Sequence, residues 1–157
     1  MSRHIDLNCD MGEGETEASA ALDHELMQFI SSCSIACGGH AGSEHTMRQT
    51  AASALDAGLR IGAHPSYPDR ENFGRRSMSI SGSALSAAIT EQTAALKDIV
   101  DELGGNLSFV KPHGALYNDM ARDAELTSLV VTTIKELDPT LKICLLYTSD
   151  AADDVAS

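Results

Sequence analysis

At 157 residues the chain is long enough for one domain with a sizeable core, because folding at this length buries roughly 70% of the unfolded surface. Its 11 Lys and Arg stand against 23 Asp and Glu, a formal net charge of -12, so nucleic-acid backbones and anionic membranes would be repelled and neither is an expected partner. Met1-Ser2-Arg3-His4 runs into Ile5-Asp6-Leu7-Asn8 without the apolar stretch of a signal peptide, and no window approaches transmembrane length, which predicts a cytoplasmic protein.

Apolar runs of strand length alternate with longer helical stretches along the chain, the pattern of βαβ units around a parallel sheet. The first predicted strand is His4 to Cys9, with Ile5, Leu7 and Cys9 on an apolar face and Asp6, Asn8 and Asp10 on a polar one. A helix is expected around Ala20 to Ser31, where Leu22, Leu26, Phe29 and Ile30 recur at helical spacing. Cys33 to Gly38 reads as the second strand; Ser43, Glu44 and Met47 open the next helix, and Gly58 ends it as a C′ residue. Leu59 to His64 is the third strand. The stretch from Pro65 to Met78 has no periodicity and is long for a connector, which points to function.

Ser81 to Leu103 predicts the longest helix, stopped by Gly104-Gly105, and Leu107 to Lys111 a fourth strand. Asp123 is the expected N-cap of a helix through Leu137, and a fifth strand begins at Leu141. The four cysteines spell neither a CxxC redox pair nor a zinc ribbon: Cys33 and Cys37 are separated by three residues, with Cys9 and Cys144 far away. Reduced, mostly buried thiols are expected.

In parallel α/β folds ligands sit beyond the carboxyl ends of the strands, where loops and helix N-termini converge. Each predicted strand ends in residues that carry chemistry: Asp6 to Glu13 after the first, His40 after the second, His64 after the third, Lys111 and His113 after the fourth. A lone histidine at a strand end is commonly structural, but three histidines and a lysine at the same station predict a shared site. Arg70, Arg75 and Arg76 can clamp a carboxylate or phosphate bidentately, the alternative being a solvated basic loop. Gly12-Glu13-Gly14 would let backbone amides approach an anion, but it completes neither a phosphate loop nor a dinucleotide fingerprint.

The segments IDLNCDMGEG (5–14), IACGGHAG (35–42), IGAHPSYPD (61–69), FGRRSM (73–78) and VKPHGALYN (110–118), in this order and spacing, resemble the LamB/YcsF family. Two departures are visible: Gly39 where many relatives have Phe, and Ser43 where they often have Asp. The resemblance implies an α/β fold of the TIM-like (β/α)7 barrel type, distantly similar to polysaccharide deacetylases. It also implies a role as the A component of an ATP-dependent 5-oxoprolinase, a hydrolase of a cyclic amide that works with subunits B and C. That enzyme opens 5-oxo-L-proline to L-glutamate, with ATP and its Mg²⁺ counter-ion.

The resemblance covers about residues 5–143. From Cys144 the chain reads CLLYTSDAADD, which resembles an in-frame adapter translation, so residues 1–143 are expected to be an incomplete barrel and 144–157 a non-native tail. Within the resemblance, the catalytic candidates are Asp10, Glu13, Lys111 and His113. Lys111 and His113 would stabilise charge on the lactam oxygen or a phosphoryl group, and Asp10 or Glu13 would handle a proton. Substrate or water would be oriented by His40 and His64, fixed by Asp6 and Asn8, with Arg75 and Arg76 as further substrate contacts. Two other functions stay open. One is a metal-dependent amidohydrolase or deacetylase, in which Asp6, His40 and His64 would hold a transition metal; the other is a non-catalytic protein that binds a small carboxylic acid.

Overall fold

The computed structural model describes residues 3–145. In chain order the elements are β1 (Asn8–Met11), α1 (Glu17–Leu26), a 3₁₀ turn (Met27–Phe29), β2 (Ser32–Ala36), α2 (Glu44–Asp56), β3 (Arg60–His64), α3 (Gly82–Glu102), β4 (Leu107–Val110), α4 (Gly114–Met120), α5 (Ala124–Leu137) and β5 (Lys142–Ile143). The expected tail lies, beyond Leu145, outside the described residues.

Every pairing among the described strands is parallel, and the sheet order is β1-β2-β3-β4-β5, so each crossover moves one strand in the same direction. The strand alternation then gives the sheet two different faces. Cys9, Met11, Cys33, Ile35, Ile61, Ala63 and Val110 belong to the apolar core together with Met47, Ala51 and Ala54 of α2, Leu85, Ile89, Leu96 and Val100 of α3, and Val130 and Ile134 of α5. The other face carries Asn8, Asp10, Ser32, Ser34 and Gly62. Asn8 donates from Nδ2 to Ser32 Oγ at 2.8 Å and accepts from Ser34 Oγ at 2.9 Å. The Phe109 ring packs against Gly62, where a Cβ would come within 2.1 Å of it.

Helix ends follow the local chemistry. Ser43 caps α2 by accepting from Thr46 N at 3.2 Å, so a hydroxyl takes the place of a carboxylate there. Asp123 caps α5 by accepting from Glu125 N at 2.9 Å and Leu126 N at 3.1 Å. Gly58 and Gly104 follow α2 and α3 with φ of 72° and 80°, the left-handed conformation of a C′ residue.

The sequence expectation failed at the first strand. β1 begins only at Asn8, and Ile5 and Leu7, expected on the apolar face, are 81% and 51% exposed; Cys9 and Met11 carry that face instead. The short helix α4, directly after His113, was not anticipated.

Candidate active site

Four strand ends bring six of the predicted residues together. Asp10 comes from β1, Glu13 from the turn after it, His40 from the loop after β2, His64 from the last position of β3, and Lys111 and His113 from the segment between β4 and α4. His40, His64 and His113 are buried, at 2%, 2% and 7% exposure, so none is an incidental surface residue.

The imidazoles form a packed cluster. His40 stacks on His113 with ring centroids 3.5 Å apart and planes 10° from parallel, and His64 meets both rings edge-on. His40 Nε2 donates to Glu13 Oε1 at 2.8 Å, since an ionised carboxylate only accepts; its buried Nδ1 has no hydrogen-bond partner among the described residues. His64 Nε2 lies 3.3 Å from Asp10 Oδ2, whose other oxygen accepts from Lys111 Nζ at 2.5 Å. Lys111 Nζ also donates to Asn8 Oδ1 at 3.2 Å.

Electrostatics separate the members. Burial, together with the charge of neighbouring His40, lowers the pKa of His113 to about 4, so His113 is neutral near pH 7. Burial likewise lowers that of His40, against the opposing pull of Glu13. Burial works against ionisation of Asp10, but hydrogen bonds and charge from His64, when its ring is protonated, and from Lys111 outweigh it and hold the carboxyl well below the usual range. Glu13 is lowered for the same kind of reason, with His40 overcoming burial. The site therefore presents two carboxylates, an ammonium ion and at least one neutral imidazole.

The long loop after β3 roofs the cluster. Phe73 adopts φ of 54°, unusual for a bulky residue, and this aims its carbonyl at His113, which donates from Nε2 at 2.9 Å. The Phe73 ring meets His40 and His113 edge-on, with the Arg75 guanidinium 5.0 Å from its centroid. Gly74 follows at φ of 62°, and a Cβ there would lie 3.0 Å from His40 Cβ, so the backbone approaches the histidines as closely as glycine permits. Asp119 of α4 pins the loop at both ends, accepting from Tyr67 Oη at 2.8 Å and Ser77 Oγ at 2.9 Å.

Some predicted site residues lie elsewhere. Asp6 bonds to Ser31 and Ser32 and pairs with Arg60 at 2.9 Å, toward the amino ends of the strands. It fixes neither His40 nor His64, and the set Asp6, His40 and His64 does not assemble. Asn8 holds Lys111 instead of a histidine. Arg70 is committed to the carbonyl oxygens of Gly38 and Gly42 and to Glu15, while Arg75 and Arg76 are exposed on the roof loop.

Sequence reasoning missed Gln92, which is buried on α3 and brackets Ser66 beside the site: Oε1 accepts from Ser66 N at 3.0 Å and Nε2 donates to Ser66 O at 2.9 Å. The signal was a polar residue on the stripe that runs through Ile89, Leu96 and Ile99. Gly39 sits against this bracket, and a Cβ there would fall 2.2 Å from Gln92 Oε1. The hollow at the α4–α5 junction, where Arg122 and Asp123 join Met120, Ala121, Thr127 and Leu145, has no histidine among its described lining residues.

The A component of 5-oxoprolinase from Histophilus somni (strain 129Pt) is 44% identical over 141 residues, covering 90% of this chain and 55% of the relative. The crystal structure of the lactam utilization protein from Thermus thermophilus superposes with a TM-score of 0.86 at 36% identity, over 92% of this chain and 58% of that one. The chain thus spans a little over half the length of the relatives it matches. The family model for LamB/YcsF matches residues 5–156, a span that contains all six clustered residues, and the chain belongs to the LamB/YcsF family.

Proposed function

We propose that this chain carries the lactam-opening site of an ATP-dependent 5-oxoprolinase, as its A component working with subunits B and C in the cytoplasm. The observation that carries the reading is the meeting of Asp10, Glu13, His40, His64, Lys111 and His113 at four consecutive strand ends, in a chain 44% identical to a protein named as the A component of 5-oxoprolinase. The unreversed strand order and the packing of α2, α3 and α5 on one face support reading the sheet as part of a (β/α)7 barrel.

Amide resonance and ring closure both favour 5-oxo-L-proline over its hydrolysis product. Transfer of the terminal phosphoryl group of ATP, escorted by Mg²⁺, to the amide oxygen removes that resonance. Water then adds at the carbon that bears the phosphorylated oxygen, the ring nitrogen takes a proton and the C–N bond breaks to leave an acyl phosphate, which a second water hydrolyses to glutamate and inorganic phosphate. Lys111 is the group suited to stabilise the developing charge on the amide oxygen, because its ammonium is held in place by Asp10 and Asn8. Glu13, an ionised carboxylate oriented by His40, is suited to take a proton from water, with Asp10 as the other candidate base. His113 does not share the role of Lys111: its N–H is engaged by the Phe73 carbonyl, and its other nitrogen offers a lone pair instead of a hydrogen.

The test is glutamate release from 5-oxoproline by the full-length protein mixed with subunits B and C. Release that needs ATP and all three components is the expected result; no release from folded, assembled components would overturn the reading. A metal-dependent amidohydrolase is the second reading, favoured by the facing His64 and His113 nitrogens, and lactam hydrolysis that ignores ATP but stops with a chelator would select it.

A further inference from the structure

His64 and His113 are each held from behind by a backbone carbonyl. His64 Nδ1 lies 2.5 Å from Lys111 O, and His113 Nε2 lies 2.9 Å from Phe73 O. A carbonyl oxygen only accepts, so both of these ring nitrogens carry hydrogen, and in the neutral ring the opposite nitrogen is a bare lone pair. Those two lone-pair nitrogens, His64 Nε2 and His113 Nδ1, face each other at 3.1 Å. Carboxylate oxygens close in on the same space: Asp10 Oδ2 is 3.3 Å from His64 Nε2, and Glu13 Oε1 is 3.9 Å from His113 Nδ1. With both rings neutral, four electron-rich atoms converge here without a hydrogen between them and repel one another unless a positive charge sits among them.

We infer that Glu13, His64 and His113, with Asp10 beside them, form a binding site for a divalent first-row transition ion. Metal–ligand distances of about 2.0–2.2 Å set neighbouring ligand atoms roughly 3.0–3.5 Å apart. The His64–His113 and His64–Asp10 separations fall in that range, and Glu13 needs a side-chain shift of less than an ångström or so to join them. The ligand atoms of Glu13, His40, His64 and His113 all lie within 4.8 Å of one another. The carbonyl behind each imidazole is the outer partner that metal-bound histidines use to fix ring orientation and tautomer. His40 orients Glu13 in the same way from its side. Two imidazoles with carboxylates suit Zn²⁺, Mn²⁺ or Fe²⁺ better than the all-oxygen ions Ca²⁺ and Mg²⁺. This set replaces Asp6 with Glu13 and His113, because Asp6 is occupied by Arg60 near the other end of the strands.

The ion would lie in the site proposed above for lactam opening, but its test uses neither ATP, lactam nor the other two components, so the two readings fail separately. Chelator-stripped full-length protein is titrated with Zn²⁺ by calorimetry. One ion per chain is expected. His64→Ala and His113→Ala should each weaken binding by at least about 100-fold, and His40→Gln by roughly 10–100-fold, as for loss of an outer partner. His45→Ala, on the exposed first turn of α2, should leave binding unchanged. Circular dichroism checks the fold of each variant. Because removing a buried imidazole can unfold the protein, Co²⁺ is also added to the unmutated protein, where visible absorption bands of nitrogen and oxygen ligation should appear in step with one equivalent. No stoichiometric ion, no Co²⁺ bands, or Zn²⁺ binding that survives both His64→Ala and His113→Ala would overturn the inference and leave a shared proton between the two rings.

Discussion

Cys33 lies within β2 and Cys37 directly after it, and burial pushes both thiols up to about 12, with the charge of Asp23 adding to the effect at Cys33. A raised thiol pKa keeps the sulfur protonated, and so unreactive, until the pH nears that value. At pH 8 a disulfide reagent such as DTNB should therefore modify at most the half-buried Cys9 and the exposed Cys144 in folded protein, and all four thiols in guanidinium. Fast native modification of Cys33 or Cys37 would contradict the burial assigned to them. Single residues were legible in the sequence where a strand end fixed their station, as with His40, His64, Lys111 and His113. The sequence could not say which ring nitrogen faces which partner, because that depends on carbonyls contributed by residues as distant as Phe73. Asp6 was grouped with Asp10 by strand period, correctly as to face; but four residues of extended chain separate them by roughly 13 Å, too far to share one small substrate.

Among the helices and strands, the helix boundaries followed from caps and glycines, whereas the start of β1 did not. Alternation of Ile5, Leu7 and Cys9 predicts an apolar face only if something packs on all three, and the structure covers Cys9 alone. α4 was invisible because seven residues beginning with glycine carry too little periodicity to register. The contact between α3 and the loop after β3 rests on Gln92. Gln92→Leu should leave the buried Ser66 N–H and C=O unpaired and destabilise the fold by about 1–3 kcal/mol, read as a lower urea midpoint. An unchanged midpoint would mean the bracket contributes nothing. Gly39→Phe should be similarly destabilising unless Gln92 is shortened as well, because its Cβ would displace the Gln92 amide. Urea unfolding of Gly39→Phe with and without Gln92→Ala separates the two cases.

For the whole molecule, the parallel α/β sheet was readable from the alternation of strand-length and helix-length apolar runs, and the family from five motifs in register. Among the described residues no helix is long and apolar enough to cross a membrane. The consequence of this architecture is polarity along the strands: the three buried histidines and their carboxylate and lysine partners gather at the carboxyl ends, while the Asp6–Arg60 pair lies toward the amino ends. ATP-dependent glutamate release from the assembled full-length enzyme, carrying either Lys111→Ala or Asp6→Asn, reads that polarity at its two extremes. A loss of about 10²–10³ in kcat is expected for Lys111→Ala, and a change of no more than about a few-fold for Asp6→Asn. Full turnover with Lys111→Ala, or an equal loss with Asp6→Asn, would contradict a site built at the carboxyl ends alone.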